Sequence, residues 1–129
     1  MSIKLCTIHV QQTTLNIFSN ILALTNLKSL SDFISVSYEA LGCFTERNPF
    51  AIPKLIKNFR GGMDWYDLAK YVRACAELVH SRGYQVFGIR SYGECWSGVD
   101  SGYDRYGSSE SCMLGVGKEW SNFVYRIKS

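Results

Sequence analysis

A cysteine on a helix and a second on the strand that follows it constrain this chain more than any other pair of residues. Cys75 lies in a segment with helical spacing that stops at Gly83-Tyr84, and Cys95 sits in Gly93-Glu94-Cys95-Trp96-Ser97-Gly98, a segment that begins ten residues after Gly83. A helix laid on a strand with one cysteine on each is a ready site for a disulfide, so the pattern points to a small domain of an oxidising compartment. Cys43 and Cys112 complete a set of four in the C-terminal two-thirds, and Cys6 stands apart near the start. Four cysteines allow three connectivities, and spacing alone does not choose among them. Packing of the helix stripe on the central strand favours Cys75 with Cys95, which leaves Cys43 for Cys112 and Cys6 unpaired.

At 129 residues, 47% of them hydrophobic and 19% charged, the chain suits one globular domain. A formal charge of +3 is mild, and Lys54, Lys57 and Arg60 form no run dense enough to follow a phosphate backbone, so nucleic acid is not an expected partner. Residues 1–34 differ in texture from the rest. Ile17, Phe18, Ile21, Leu22, Leu24 and Leu27 make an apolar stretch too short and too interrupted for a membrane span. Lys4 ahead of it and Ser29-Leu30-Ser31 behind it fit a signal peptide, while Gln11-Gln12-Thr13-Thr14 weakens that pattern. A leader, a retained helix and a linker all remain open for this segment, and residues 35–129 form the disulfide-stapled domain.

Within that domain the sequence alternates between strand and helix periods. Tyr38 to Phe44 reads as a strand with Leu41 and Cys43 on one face, and Glu46 to Gly62 as an irregular crossing. The clearest helix follows, with Asp64 as N-cap and Trp65, Leu68, Ala69, Val72, Ala76 and Val79 as its apolar stripe. His80 and Arg82 suit its last turn, and Gly83 its left-handed stop. Tyr84 to Arg90 alternates with Phe87 and Ile89 on one side and Val86, Gly88 and Arg90 on the other; Glu94-Cys95-Trp96 returns from a turn. Gly98 to Gly117 reads as a glycine-rich loop pinned by Cys112. Ser121 to Ile127 closes the domain with Phe123, Tyr125 and Ile127 on one face. The expected fold class is α+β, with one main helix on a small, mostly antiparallel sheet and an extra N-terminal helix or leader.

Few residues point to a reaction. There is no H-E-x-x-H, G-x-S-x-G or P-loop, and His80 is explained by the helix dipole. Asp100, Asp104 and Glu110 lack the alternation of a calcium loop, and no close-spaced cysteine or histidine pair suggests zinc. The chain is therefore expected to be a non-enzyme with no metal and no cofactor. Aromatic rings are more informative, because sugars stack their apolar faces on Trp and Tyr while their hydroxyls meet Asp and backbone groups. Tyr92, Trp96, Tyr103, Asp104 and Tyr106, on or near the loops after the central hairpin, are the candidate glycan-binding residues. For Trp96 and Trp120 the favoured reading is nevertheless a core or disulfide-covering ring.

Taken in order, Leu41-Gly42-Cys43-Phe44, Cys75 before Gly83-Tyr84, Val86-Phe87-Gly88-Ile89, Glu94-Cys95-Trp96-Ser97-Gly98 and Phe123-Val124-Tyr125 resemble a reduced WSC domain. The similarity spans about Tyr38 to Ile127. WSC domains are extracellular, cysteine-rich, commonly carbohydrate-binding and related in layout to PAN/apple domains. The resemblance thus implies a secreted lectin-like module, with a PAN-type protein-interaction or adhesion module as the alternative. Val79 and Ser97 stand where WSC domains usually carry further cysteines, an absence explained if one bridge is deleted as a unit.

Overall fold

The computed structural model describes residues 36–99 and 102–128. The leader segment and Cys6 lie outside the described residues. Five strands form one sheet in the order β1-β7-β3-β4-β2: β1 Ser37–Thr45, β2 Lys54–Asn58, β3 Val86–Arg90, β4 Glu94–Ser97 and β7 Ser121–Lys128. Every neighbouring pair is antiparallel. A separate two-stranded hairpin, β5 Cys112–Met113 with β6 Val116–Gly117, lies within the stretch read from sequence as loop. The single helix among the described residues, α1, spans Ala69–Ser81. The α+β class with one helix on an antiparallel sheet is the observed architecture.

The central strands divide their side chains as strict alternation requires. Phe87 and Ile89 of β3, Cys95 of β4, and Tyr125 and Ile127 of β7 face α1, which packs Val72, Cys75, Ala76 and Val79 onto them. On the opposite face Val86, Val124 and Ile52 make a second cluster, joined by Leu41, Phe44, Trp96 and Tyr103. Phe87 stacks on Tyr125 with ring centroids 5.1 Å apart and Tyr38 meets both edge-on, which continues the helix-side core into β1. Cys75 bonds to Cys95 across the helix–sheet interface, and Cys43 bonds to Cys112, tying β1 to the β5–β6 hairpin. The sequence separations of 20 and 69 residues correspond in the chain-entropy description to about 3 and about 4 kcal/mol.

Three local expectations are corrected. The helix begins at Ala69 with Leu68 at its N-cap, not at Asp64. The Asp64 carboxylate accepts from the Tyr66 amide and its carbonyl from the Asp67 amide, a local turn that competes with helix; Trp65 is left 52% exposed and outside the stripe. The irregular crossing contains β2, an edge strand whose side chains are nearly all exposed, so no apolar alternation announces it. Leu41 and Cys43 do not share a face. The β1–β7 register slips between Ala40 and Gly42, where Gly42 takes a φ of +129°. That bulge turns Leu41 toward the Ile52 cluster while Cys43 pairs in register with Phe123 on the helix side.

Candidate functional site

Arg90 ends a strand whose five residues are all buried, so its guanidinium must find partners inside the protein. Nη2 donates to Glu46 Oε2 at 2.8 Å and to the Ile52 carbonyl at 2.9 Å, and Nε donates to Asn122 Oδ1 at 2.9 Å. Glu46 is equally enclosed, at 1% exposure. It accepts the amides of Arg47, Ala51 and Ile52 and the side-chain amide of Asn122 as well. One carboxylate thus fixes the segment from Glu46 to Ile52 against β3 and β7. Burial draws the Arg90 pKa down to about 10 while Glu46 and then Glu94 pull it back, which leaves it cationic at neutral pH.

The fixed segment sets Phe50 beside the guanidinium. The Arg90 Cζ lies 4.5 Å from the Phe50 ring centre and 3.9 Å from that of Trp96, with the two rings edge to face at 5.3 Å. Trp96 Nε1 donates to Glu94 Oε1 at 3.0 Å, and Glu94 Oε2 lies 3.5 Å from Arg60 Nη1. Phe50 also faces Trp120, at a tilted 6.3 Å. Trp120 is held at φ +58° with its carbonyl bonded to the Glu46 amide, and it is 56% exposed; it does not act as a core ring.

These parts enclose an open cleft of about 360 Å³. Phe50, Trp96 and Trp120 are its aromatic lining, Arg90 and Ser91 contribute donors, and Glu94 and Glu119 contribute carboxylates. Three of the four non-glycine residues with positive φ in the described chain border this region: Ser91 at 51°, Tyr92 at 72° and Trp120 at 58°. Backbone of this kind costs on the order of 1 kcal/mol or more per residue and persists where its surroundings impose it. Here the Ser91 and Tyr92 amides donate to the carbonyls of Lys118 and Gly117, so the β3–β4 turn and the turn before β7 hold each other.

Of the five candidate glycan-binding residues, Trp96 lines the cleft. Tyr92 turns its ring to Trp65, 5.7 Å away. Tyr103 packs edge-on against Phe44 at 5.1 Å and joins the second core cluster. Tyr106 donates its hydroxyl to the Pro49 carbonyl with Arg47 over its ring at 5.9 Å, and the Asp104 carbonyl accepts the Gly107 amide to close the same turn. Tyr106 thus braces the segment that carries Phe50, Tyr103 packs into the second core cluster, and neither they nor Asp104 line the cleft. Sequence reasoning missed Phe50, Arg90, Ser91, Glu94, Glu119 and Trp120 as lining residues, the last having been read as a core ring. The available signal was Arg90, a charge closing an otherwise apolar strand, which demands a buried anion beside it.

Among the described residues no group of three or more His, Cys, Asp or Glu side chains is arranged to hold a metal ion, and no helix is long and apolar enough to cross a membrane. No known protein-family model matches the chain, and no curated protein matches it.

Proposed function

We propose that this chain is a secreted, non-catalytic carbohydrate-binding module of WSC-like type, with the Phe50–Trp96–Trp120 cleft as its ligand seat. The observation that carries the reading is an exposed indole held in left-handed backbone at the rim of an aromatic cleft with a buried guanidinium at its floor. The Glu46 amide bonded to its carbonyl fixes the Trp120 backbone, and the exposed indole so held offers a sugar ring the flat apolar face at a fixed angle that it needs. The polar groups suit hydroxyls: carboxylates at Glu94 and Glu119 accept, and Arg90 and Ser91 donate. A volume near 360 Å³ falls at the small end of ligand sites and fits about one or two sugar rings. Two disulfides favour an extracellular setting.

A glycan array on the full chain, followed by titration of the best sugar, tests this reading. Trp120→Ala should abolish binding while shifting stability by less than about 1 kcal/mol. Absence of binding to any sugar at about millimolar concentration would refute it. The PAN-type alternative draws on a different surface, where Trp65, 52% exposed, meets Tyr92 and the next residue, Tyr66, is 101% exposed, and it predicts a protein partner lost on Tyr66→Ala.

A further inference from the structure

We propose that the cleft selects glycans bearing a protonated amine, such as a non-acetylated hexosamine, over their neutral, N-acetylated and acidic counterparts. This inference rests on the carbohydrate reading and deepens it. The charges around the cleft do not cancel. Arg90 is matched by Glu46 at 2.8 Å, and Glu94 faces Arg60 at 3.5 Å. Glu119 is exposed and makes no ion pair or hydrogen bond within the described residues. Lys118, its neighbour in sequence, is not among the groups lining the cleft. The rim therefore carries one carboxylate in want of a cation, beside the exposed ring of Trp120. An ammonium group there gains both the carboxylate and the face of an indole.

The floor adds a second requirement. The Arg90 side chain is only 5% exposed, and the hydrogen bonds it makes use Nε and Nη2. Nη1 finds no acceptor within the described residues, although Arg90 lines the cleft. A buried donor without a partner is costly, so the preferred occupant brings it an oxygen. A simple cation such as a lysine side chain offers no acceptor to Nη1. An acidic sugar satisfies Nη1 but meets Glu119. A neutral sugar satisfies Nη1 and leaves Glu119 unmatched. A sugar with hydroxyl oxygens and one ammonium group answers both.

Calorimetric titration of the full chain at mildly acidic pH with four probes tests the inference: a β-1,4-linked glucosamine tetramer, its fully N-acetylated form, the corresponding glucose tetramer and tetralysine. The glucosamine tetramer should bind about tenfold more tightly than either other sugar, a preference that weakens with added salt. In Glu119→Gln, whose fold is verified by an unchanged melting temperature, that ratio should fall below about threefold. Equal affinity for the three sugars, or a preference that survives in Glu119→Gln, would overturn the inference and leave the carbohydrate reading standing. Binding of tetralysine alone, or of none of the four, would also overturn the inference, and the glycan array would then decide the carbohydrate reading separately.

Discussion

Replacing Glu46 with Gln removes one charge and almost no volume, and should be among the most damaging single changes in this protein. Every one of the five groups that meets the Glu46 carboxylate is a donor: three backbone amides, the Asn122 amide and the Arg90 guanidinium. A glutamine brings its own NH2 into that ring. Placed at the Oε1 position it confronts the Arg47 and Ala51 amides; placed at Oε2 it confronts Ile52, Arg90 and Asn122. Either orientation strands at least two donors, one or more of them buried, and leaves the guanidinium without its anion. Breaking a buried pair from one side costs about 3–5 kcal/mol, and each stranded donor adds to that unless the segment rearranges. We expect a loss of about 4 kcal/mol, a large part of the roughly 5–15 kcal/mol that holds a domain of this size. Urea unfolding of the full chain with its disulfides intact should show the midpoint falling by about 2–4 M. Because the two side chains share one network, Glu46→Gln with Arg90→Met should cost about 2 kcal/mol less than the sum of the single changes. If Glu46→Gln lies within about 1 kcal/mol of the parent, or the single effects simply add, Glu46 is not the organiser described above.

Gly117→Ala should cost ~3 kcal/mol or more, because its methyl group would lie 2.0 Å from the Ser121 carbonyl oxygen and 2.8 Å from that of Ile89; an unchanged melting curve would contradict that packing. Trp120→Gly exchanges relief of the left-handed strain for extra chain entropy, so stability should stay within about 1 kcal/mol of the parent while sugar binding, read by titration, disappears. Burial raises the Tyr125 pKa well above the usual phenol value, with Tyr38 adding to the effect. The unfolded phenol ionises near 10.0 and the folded one later, so this contribution is intact below pH 10 and declines as pH rises above it. Denaturant midpoints measured upward from pH 9.5 should therefore fall less steeply in Tyr125→Phe than in the parent, apart from the opposing effect of Arg90, which is common to both (~2.3RT per pH unit per proton).

The parts of this fold legible in the sequence are those where one residue's period decides its environment. Phe87, Ile89, Phe123, Tyr125 and Ile127 announce their shared face because buried strands alternate, and Val72, Ala76 and Val79 announce theirs through helical spacing. Asp64 misled because a carboxylate before a helix serves a local turn as readily as a cap. The Leu41 bulge depends on pairing with β7, eighty-odd residues away, and no local pattern encodes it. The cleft was hardest to read for the same reason. Phe50, Trp96 and Trp120 meet only because Glu46 and Arg90, 44 residues apart, find each other in the interior. Of these rings Trp96 alone sat beside a recognisable motif.

The register of β1 with β7 also decides how such a domain could be mounted. Ser37 is paired with Lys128 at one end of the two strands, and Thr45 with Ser121 at the other. Both ends of the folded unit therefore leave side by side, while the cleft is built from Glu46 to Ile52, the turn after Arg90 and Trp120, all at the opposite end. Eight strand residues at about 3.3 Å each separate the two ends by roughly 25 Å. A tether attached at Ser37 and Lys128 would act as a stalk, and the cleft would point outward from whatever surface or neighbouring module carried it. Tandem copies, or a copy spliced into a surface loop of another protein, would each be joined at the end of the sheet away from the cleft, with no change to the strands.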